Sequence, residues 1–158
     1  MGATGRTDRP GPGEGSDVSP RWTLIAVSAD SPVTRSTVPL PRGGVPTVAV
    51  VQYELLVGAP HVLTQDDVLF LSWLERQPDA DRLTGPERTA LRDEFFARPR
   101  ACLRTSPLPK KYGFGLLLDE HERVALCPVE SAEYRRLVGG EGPARVVRAM
   151  RTRRPSRG

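Results

Sequence analysis

Apolar positions along this chain change rhythm from one segment to the next, and the rhythm predicts the elements. Trp22 to Ser28 is apolar and partly β-branched and predicts a first strand. Ala29 to Pro46 holds four prolines and the pair Gly43-Gly44, so it predicts a loop. Thr47 is placed to cap a helix through Leu56, in which Val48, Val51 and Leu55 share one arc and Ala49, Tyr53 and Leu56 another. Val48 to Val51 also favours a strand, which is the competing reading there. Thr64 and Asp67 form a variant capping box for a helix to about Gln77, apolar almost all round and therefore expected to be the most buried element. Thr84 and Glu87 form a second box for a helix that tolerates Pro86 in its first turn, buries Leu91 and Phe95 and stops before Pro99.

From Arg98 to Tyr112, the prolines at 99, 107 and 109 predict extended chain. Phe114 to Leu118 and Arg123 to Val129 read as a hairpin turning at Asp119-Glu120-His121-Glu122, with Pro128 ending the second strand or lying at an edge. Ser131 caps a short helix ending at Gly139-Gly140. A last helix is expected from Ala144 to about Thr152, with Val146, Val147 and Met150 on one arc and Arg145, Arg148 and Arg151 opposite. The elements predict a single α+β domain over residues 21–152, with helices packed on a small antiparallel sheet. Residues 1–20 are poor in apolar side chains and are expected to be a disordered tail, with a basic disordered tail at 153–158.

Charge changes this picture more than composition does. The net charge is only +4, but the five bases between Arg98 and Tyr112 and the six from Arg145 onward stand without an acid among them. The rest of the chain sums to −7, so an acidic body carries two basic segments, a distribution suited to an anionic partner. The bland reading is a solubilising tail and a loop whose bases pair with that acidic body. No apolar run approaches the roughly 20 residues of a membrane helix, and the N-terminal stretch has no apolar centre like that of a secretory leader. With only Cys102 and Cys127 there is no disulfide framework, and the chain is expected to be cytoplasmic.

Several segments follow one another in a recognisable order: Gln52-Tyr53-Glu54-Leu55; Thr64-x-x-Asp67-Val68-Leu69-Phe70; Cys102-Leu-Arg-x-Ser106-Pro-Leu-x-Lys110-x-Tyr112-Gly113-x-Gly115; Glu130-Ser131-x-Glu133-Tyr134; and Ala149-Met150-Arg151. Over about Trp22 to Arg154 the chain resembles an uncharacterised bacterial family of small proteins, catalogued as a domain of unknown function. The resemblance implies a shared fold and a cytoplasmic bacterial setting, and it brings no activity with it. The acidic turn at Asp119 to Glu122 lacks the glycine that the resemblance leads one to expect there.

Candidate chemistry concentrates in the first basic segment, Arg98 to Tyr112. Arg104, Ser106, Lys110, Lys111 and Tyr112 offer a guanidinium, a hydroxyl, two ammoniums and a phenol, the groups that hold phosphate or carboxylate. Gly113 and Gly115 would let a backbone approach a ligand, and Tyr112 and Phe114 could stack a base. Arg148 and Arg151 would extend the basic surface. Cys102 among Arg98, Arg100 and Arg104 could be an activated thiol, but neither His61 nor His121 is brought to it by anything in the sequence. The chain has no C-x-x-C, no H-x-x-x-H, no phosphate loop and no dinucleotide fingerprint, so no metal and no cofactor is expected. The leading expectation is a non-catalytic module binding nucleic acid or a phosphorylated small molecule. The alternatives are a small metal-independent enzyme around Cys102, Arg104, Ser106 and Tyr112, or a protein-interaction subunit. A concave pocket lined by the Arg104–Gly115 segment would favour a small ligand or an enzyme, and a spread convex basic face would favour nucleic acid.

Overall fold

The computed structural model describes residues 21–151; both expected tails, 1–20 and 153–158, lie outside them. Four strands make one sheet: β1 (Thr23–Ala26), β2 (Phe114–Leu118), β3 (Val124–Pro128) and β4 (Arg145–Arg148), in the order β3-β2-β1-β4. β2 pairs antiparallel with both β3 and β1, setting Leu116 opposite Leu126 and Ile25. β4 runs parallel to β1, with Thr23 beside Arg145 and Ile25 beside Val147. The described residues also form four α-helices, α1 (Val48–Leu56), α2 (Gln65–Leu74), α3 (Gly85–Phe96) and α4 (Ala132–Val138).

Side chains alternate across the strands, so each strand feeds two cores. On one face Ile25, Phe114, Leu116, Leu118 and Val124 meet Ala49 and Leu56 of α1, Val68 of α2, and Leu103 and Leu108. On the other, Leu24, Ala26, Leu117 and Cys127 meet Tyr134 and Leu137 of α4. A third cluster, Phe70, Leu74 and Phe95, joins α2 to α3.

The helix starts follow local rules. Thr47 accepts from the Val50 amide, Thr64 and Asp67 exchange both capping bonds, Thr84 and Glu87 do the same, and Ser131 accepts from the Tyr134 amide. Each satisfies amides that a first turn leaves unpaired. The hairpin also forms, and at its turn Glu122 takes φ 64°, the left-handed backbone that glycine usually supplies.

Three expectations are corrected. The segment expected as a final helix from Ala144 is β4, so the sheet is mixed and not purely antiparallel. The free edge of β1 supplies hydrogen-bond partners that a solvent-facing helix could not use, and Val146-Val147 is β-branched. The 98–112 segment is not extended throughout. Leu103–Thr105 forms a turn of 3₁₀ helix and Leu108–Tyr112 a π-helical turn, because proline fixes a φ that helical turns also use. Finally, α2 is not the most buried element: every residue of β2 is buried, whereas Leu69, Leu71 and Trp73 of α2 are half-exposed. A central strand is covered on both faces; α2 is covered only where α1, α3 and the sheet reach it.

Two predictions follow from the core. Leu74 is 1% exposed against Phe70 and Phe95, so Leu74→Ala is expected to lower stability by roughly 3 kcal/mol in urea unfolding. Burial pushes the Cys127 thiol from 9.0 up to about 12, with the charge of Glu133 adding to the rise and the Ser131 hydroxyl opposing it. The folded state keeps this proton where the unfolded chain has lost it. The stabilisation is complete below pH 9 and is lost as pH rises toward 12. Urea midpoints at stepped pH are therefore expected to fall more steeply for the wild type than for Cys127→Ala across that window.

Candidate functional site

At the Thr23–Arg145 end of the sheet the helical layer stops short and leaves a cleft of about 330 Å³. Thr23 and Ile25 of β1, Leu118 of β2 and Val147 of β4 form its floor, all on one face by strand alternation. Cys102 and Arg104 stand on the β4 side, and Asp119, Glu120 and Glu122 of the hairpin turn on the β2 side. Two strand spacings, roughly 10 Å, separate the flanking strands.

Gln65, at the first turn of α2, ties the two walls together. Its Oε1 accepts from the Leu103 amide at 3.0 Å, and its own amide donates to the Glu122 carbonyl at 2.8 Å. The basic wall is fixed in turn by β4: the Met150 amide donates to the Arg104 carbonyl at 2.8 Å, and Arg104 Nε donates to the Arg148 carbonyl at 2.8 Å. The two basic segments of the sequence thus meet at one concavity, with Arg104 from the first and Arg145 from the second lining it.

Among the described residues neither Arg104 nor Arg145 has a salt-bridge partner, and beyond Nε the Arg104 N–H groups have no protein acceptor. Among the described residues Arg98, Arg100, Lys110 and Lys111 also have no carboxylate within salt-bridge distance. The carboxylates opposite are partly engaged. Asp119 Oδ1 accepts from the amides of His121 and Arg123, Glu120 accepts from Trp22 Nε1 at 3.2 Å, and Glu122 reaches Gln65 Nε2 at 3.4 Å.

The remaining candidates are dispersed. Ser106 is 2% exposed, donates to Gln52 Oε1 and accepts from the Leu108 amide. Tyr112 is half-buried and packs on the core beneath the helices. Lys110 and Lys111 lie on the π-helical turn and line no part of the cleft. Arg148 belongs to the opposite strand parity from Arg145 and donates from Nη1 to the Val27 carbonyl at 3.0 Å. Arg151, exposed, is the last described residue. Cys102 is exposed on the cleft, but no histidine lines it: His61 packs against Trp22 with ring centroids 5.0 Å apart and planes tilted by 54°, and His121 sits in the hairpin turn. Among the described residues no cluster of three or more His, Cys, Asp or Glu could hold a metal ion, and no helix is long and apolar enough to cross a membrane.

Sequence reading singled out Arg104 but not Arg145, Gln65 or the acidic wall. Read as a strand, Arg145-Val-Val147 puts Arg145 on the face of Val147, and that alternation was the signal. The glycines offered for ligand approach are occupied by the protein itself. A Cβ on Gly113 would lie 2.8 Å from the Arg35 carbonyl oxygen, and one on Gly115 would lie 3.0 Å from the Tyr134 ring.

Residues 18–155 match the family of unknown function DUF6157. The chain belongs to that family. No curated protein and no solved structure matches it. Most of the motifs behind the resemblance build this architecture. Gln52 bridges two buried serines, Thr64 and Asp67 cap α2, Glu130 holds the Ser36 amide and hydroxyl at 2.8 Å each, and the Val27 amide donates to Tyr134 Oη at 2.9 Å. The bonds from Ser36 hold the Glu130 carboxyl below its ordinary range.

Proposed function

We propose that this DUF6157 protein is a cytoplasmic, non-catalytic binding module for a small anionic molecule, held by phosphate or carboxylate between Arg104 and Arg145. The observation that carries the reading is the convergence, at one concave site, of two guanidiniums from separate basic segments that have no carboxylate partner among the described residues. The acidic wall opposite favours a ligand that also bears an ammonium group, because a purely anionic molecule would be repelled by Glu120 and Glu122. A phosphorylated or carboxylated amine spans both walls. Concavity favours this over nucleic acid, since Lys110, Lys111 and Arg148 do not join the cleft. Binding is favoured over catalysis because the Cys102 thiol has no histidine beside it in the cleft.

Thermal-shift and calorimetric titrations with O-phosphoserine, phosphate and serine test the proposal. O-phosphoserine is expected to stabilise the protein more than either fragment. Arg104→Ala and Arg145→Ala should each weaken it by roughly tenfold to a hundredfold, the loss of a charge-assisted pair. Lys110→Ala/Lys111→Ala should leave it unchanged. Salt-sensitive binding of labelled oligonucleotides that depends on Lys110 and Lys111 would replace this reading with the nucleic-acid one. Absence of binding in both assays would favour a protein-interaction subunit.

A further inference from the structure

A second concavity, about 520 Å³, opens between α1, α2, α3 and the loop that follows α3, and shares no lining residue with the first. Its walls are Leu69, Trp73, Phe95 and Leu103, with the Trp73 and Phe95 rings 5.5 Å apart. That volume and this apolar lining are those of a small-molecule pocket, which runs to roughly 300–1,000 Å³ with a few placed polar groups.

The polar groups are sorted by depth. At the closed end lie Gln52, Ser72 and Ser106, only 3%, 4% and 2% exposed. Gln52 Nε2 donates to Ser72 Oγ at 3.1 Å, Gln52 Oε1 accepts from Ser106, and Ser72 in turn donates to the Val68 carbonyl. A primary amide has two N–H donors and two lone pairs. Gln52 uses one of each, so a buried N–H and a buried lone pair have no protein partner among the described residues. Buried polar groups left in that state are costly, and a bound molecule would relieve the cost.

At the open end two exposed arginines line the pocket. Arg100 Nε is pinned to the Phe95 carbonyl at 2.7 Å with its guanidinium 3.9 Å from the Phe95 ring centre, and Arg76 Nε donates to the Pro46 carbonyl at 3.0 Å. Neither has a carboxylate partner among the described residues. Both side chains are thus held in place with their terminal N–H groups left for an anion.

We infer that this pocket is a second ligand site, one that takes an aromatic carboxylate bearing a hydroxyl or carbonyl at its far end. The carboxylate meets Arg76 and Arg100, the ring lies against Trp73 and Phe95, and the distal oxygen completes the hydrogen bonding of Gln52. Stacking on Trp73 and Phe95 selects a flat ring over an acyl chain.

The probe is para-hydroxyphenylacetate, titrated into the wild-type protein while the two indole N–H resonances are followed by NMR. The Trp73 resonance is expected to move saturably, and that of Trp22, outside the pocket, to stay in place. Arg76→Ala and Arg100→Ala should each weaken binding by about tenfold. The uncharged para-hydroxyphenylacetamide should bind more weakly than the acid and be indifferent to both substitutions. Phenylacetate, without the distal hydroxyl, should also bind more weakly. Arg104→Ala and Arg145→Ala alter residues that line only the first cleft; they should leave the affinity for this probe as it is while weakening O-phosphoserine binding, so the two sites stand or fall separately. The inference is overturned if Trp73 shows no saturable movement up to about 10 mM probe, or if acid and amide bind alike.

Discussion

Gly113→Ala is expected to destabilise the protein by about 2–5 kcal/mol, although it adds one methyl group. Gly113 ends the π-helical turn at φ 76°, and an alanine in left-handed backbone costs roughly 1–2 kcal/mol before any contact is considered. The new Cβ would lie 2.8 Å from the Arg35 carbonyl oxygen, 2.9 Å from Val33 Cγ1 and 3.0 Å from Ser36 Cα. That strand of loop cannot easily retreat, because Ser36 is held by Glu130 through amide and hydroxyl and the Thr37 amide donates to the Tyr112 carbonyl at 2.9 Å. Overpacking of this kind adds about 1–3 kcal/mol. Gly140 is the control: its φ is 83°, but a Cβ there meets nothing within 4 Å. Gly140→Ala should show the strain alone, and the difference between the two urea midpoints isolates the clash.

What could be read from the sequence depended on how far apart the deciding contacts lie. Thr47, Thr64 with Asp67, Thr84 with Glu87, and Ser131 announce helix starts because a cap bonds within three residues of itself. Arg145 to Arg148 is a different case. Four residues reading Arg-Val-Val-Arg fit a helix or a strand, and the choice belongs to the edge of β1, more than a hundred residues upstream. The same long-range pairing makes the cleft. Without β4 beside β1 there is no reason to join Arg104 to Arg145, and the charge clusters look like two separate surfaces. Arg104 was legible as an anion-binding group from its neighbourhood. Its geometry was not, since the Arg148 and Met150 backbone that fixes it belongs to β4 and the residues just after it.

Ser106→Ala is expected to cost about 2–6 kcal/mol, and the origin of that cost bears on why this serine lies among the residues chosen for anion binding. Its hydroxyl donates to Gln52 Oε1 at 2.5 Å and accepts from the Leu108 amide at 3.1 Å, with Leu108 fully buried. Alanine therefore orphans two buried groups, an amide N–H and a carboxamide oxygen, at roughly 1–3 kcal/mol each. Gln52→Leu removes that carboxamide, so the double variant keeps neither partner of the Ser106–Gln52 bond, while the Ser72 bond to the Val68 carbonyl stays in place. In a double-mutant cycle the pair Gln52→Leu/Ser106→Ala should be less destabilised than the sum of the single changes, by on the order of 1–2 kcal/mol, because the carboxamide oxygen is no longer left stranded. The measurement is four urea unfolding curves. Additive losses would mean that water in the adjoining pocket replaces the serine hydroxyl, and the chain from Ser72 through Gln52 to Ser106 would then contribute to the pocket's hydration instead of to the rigidity of the loop.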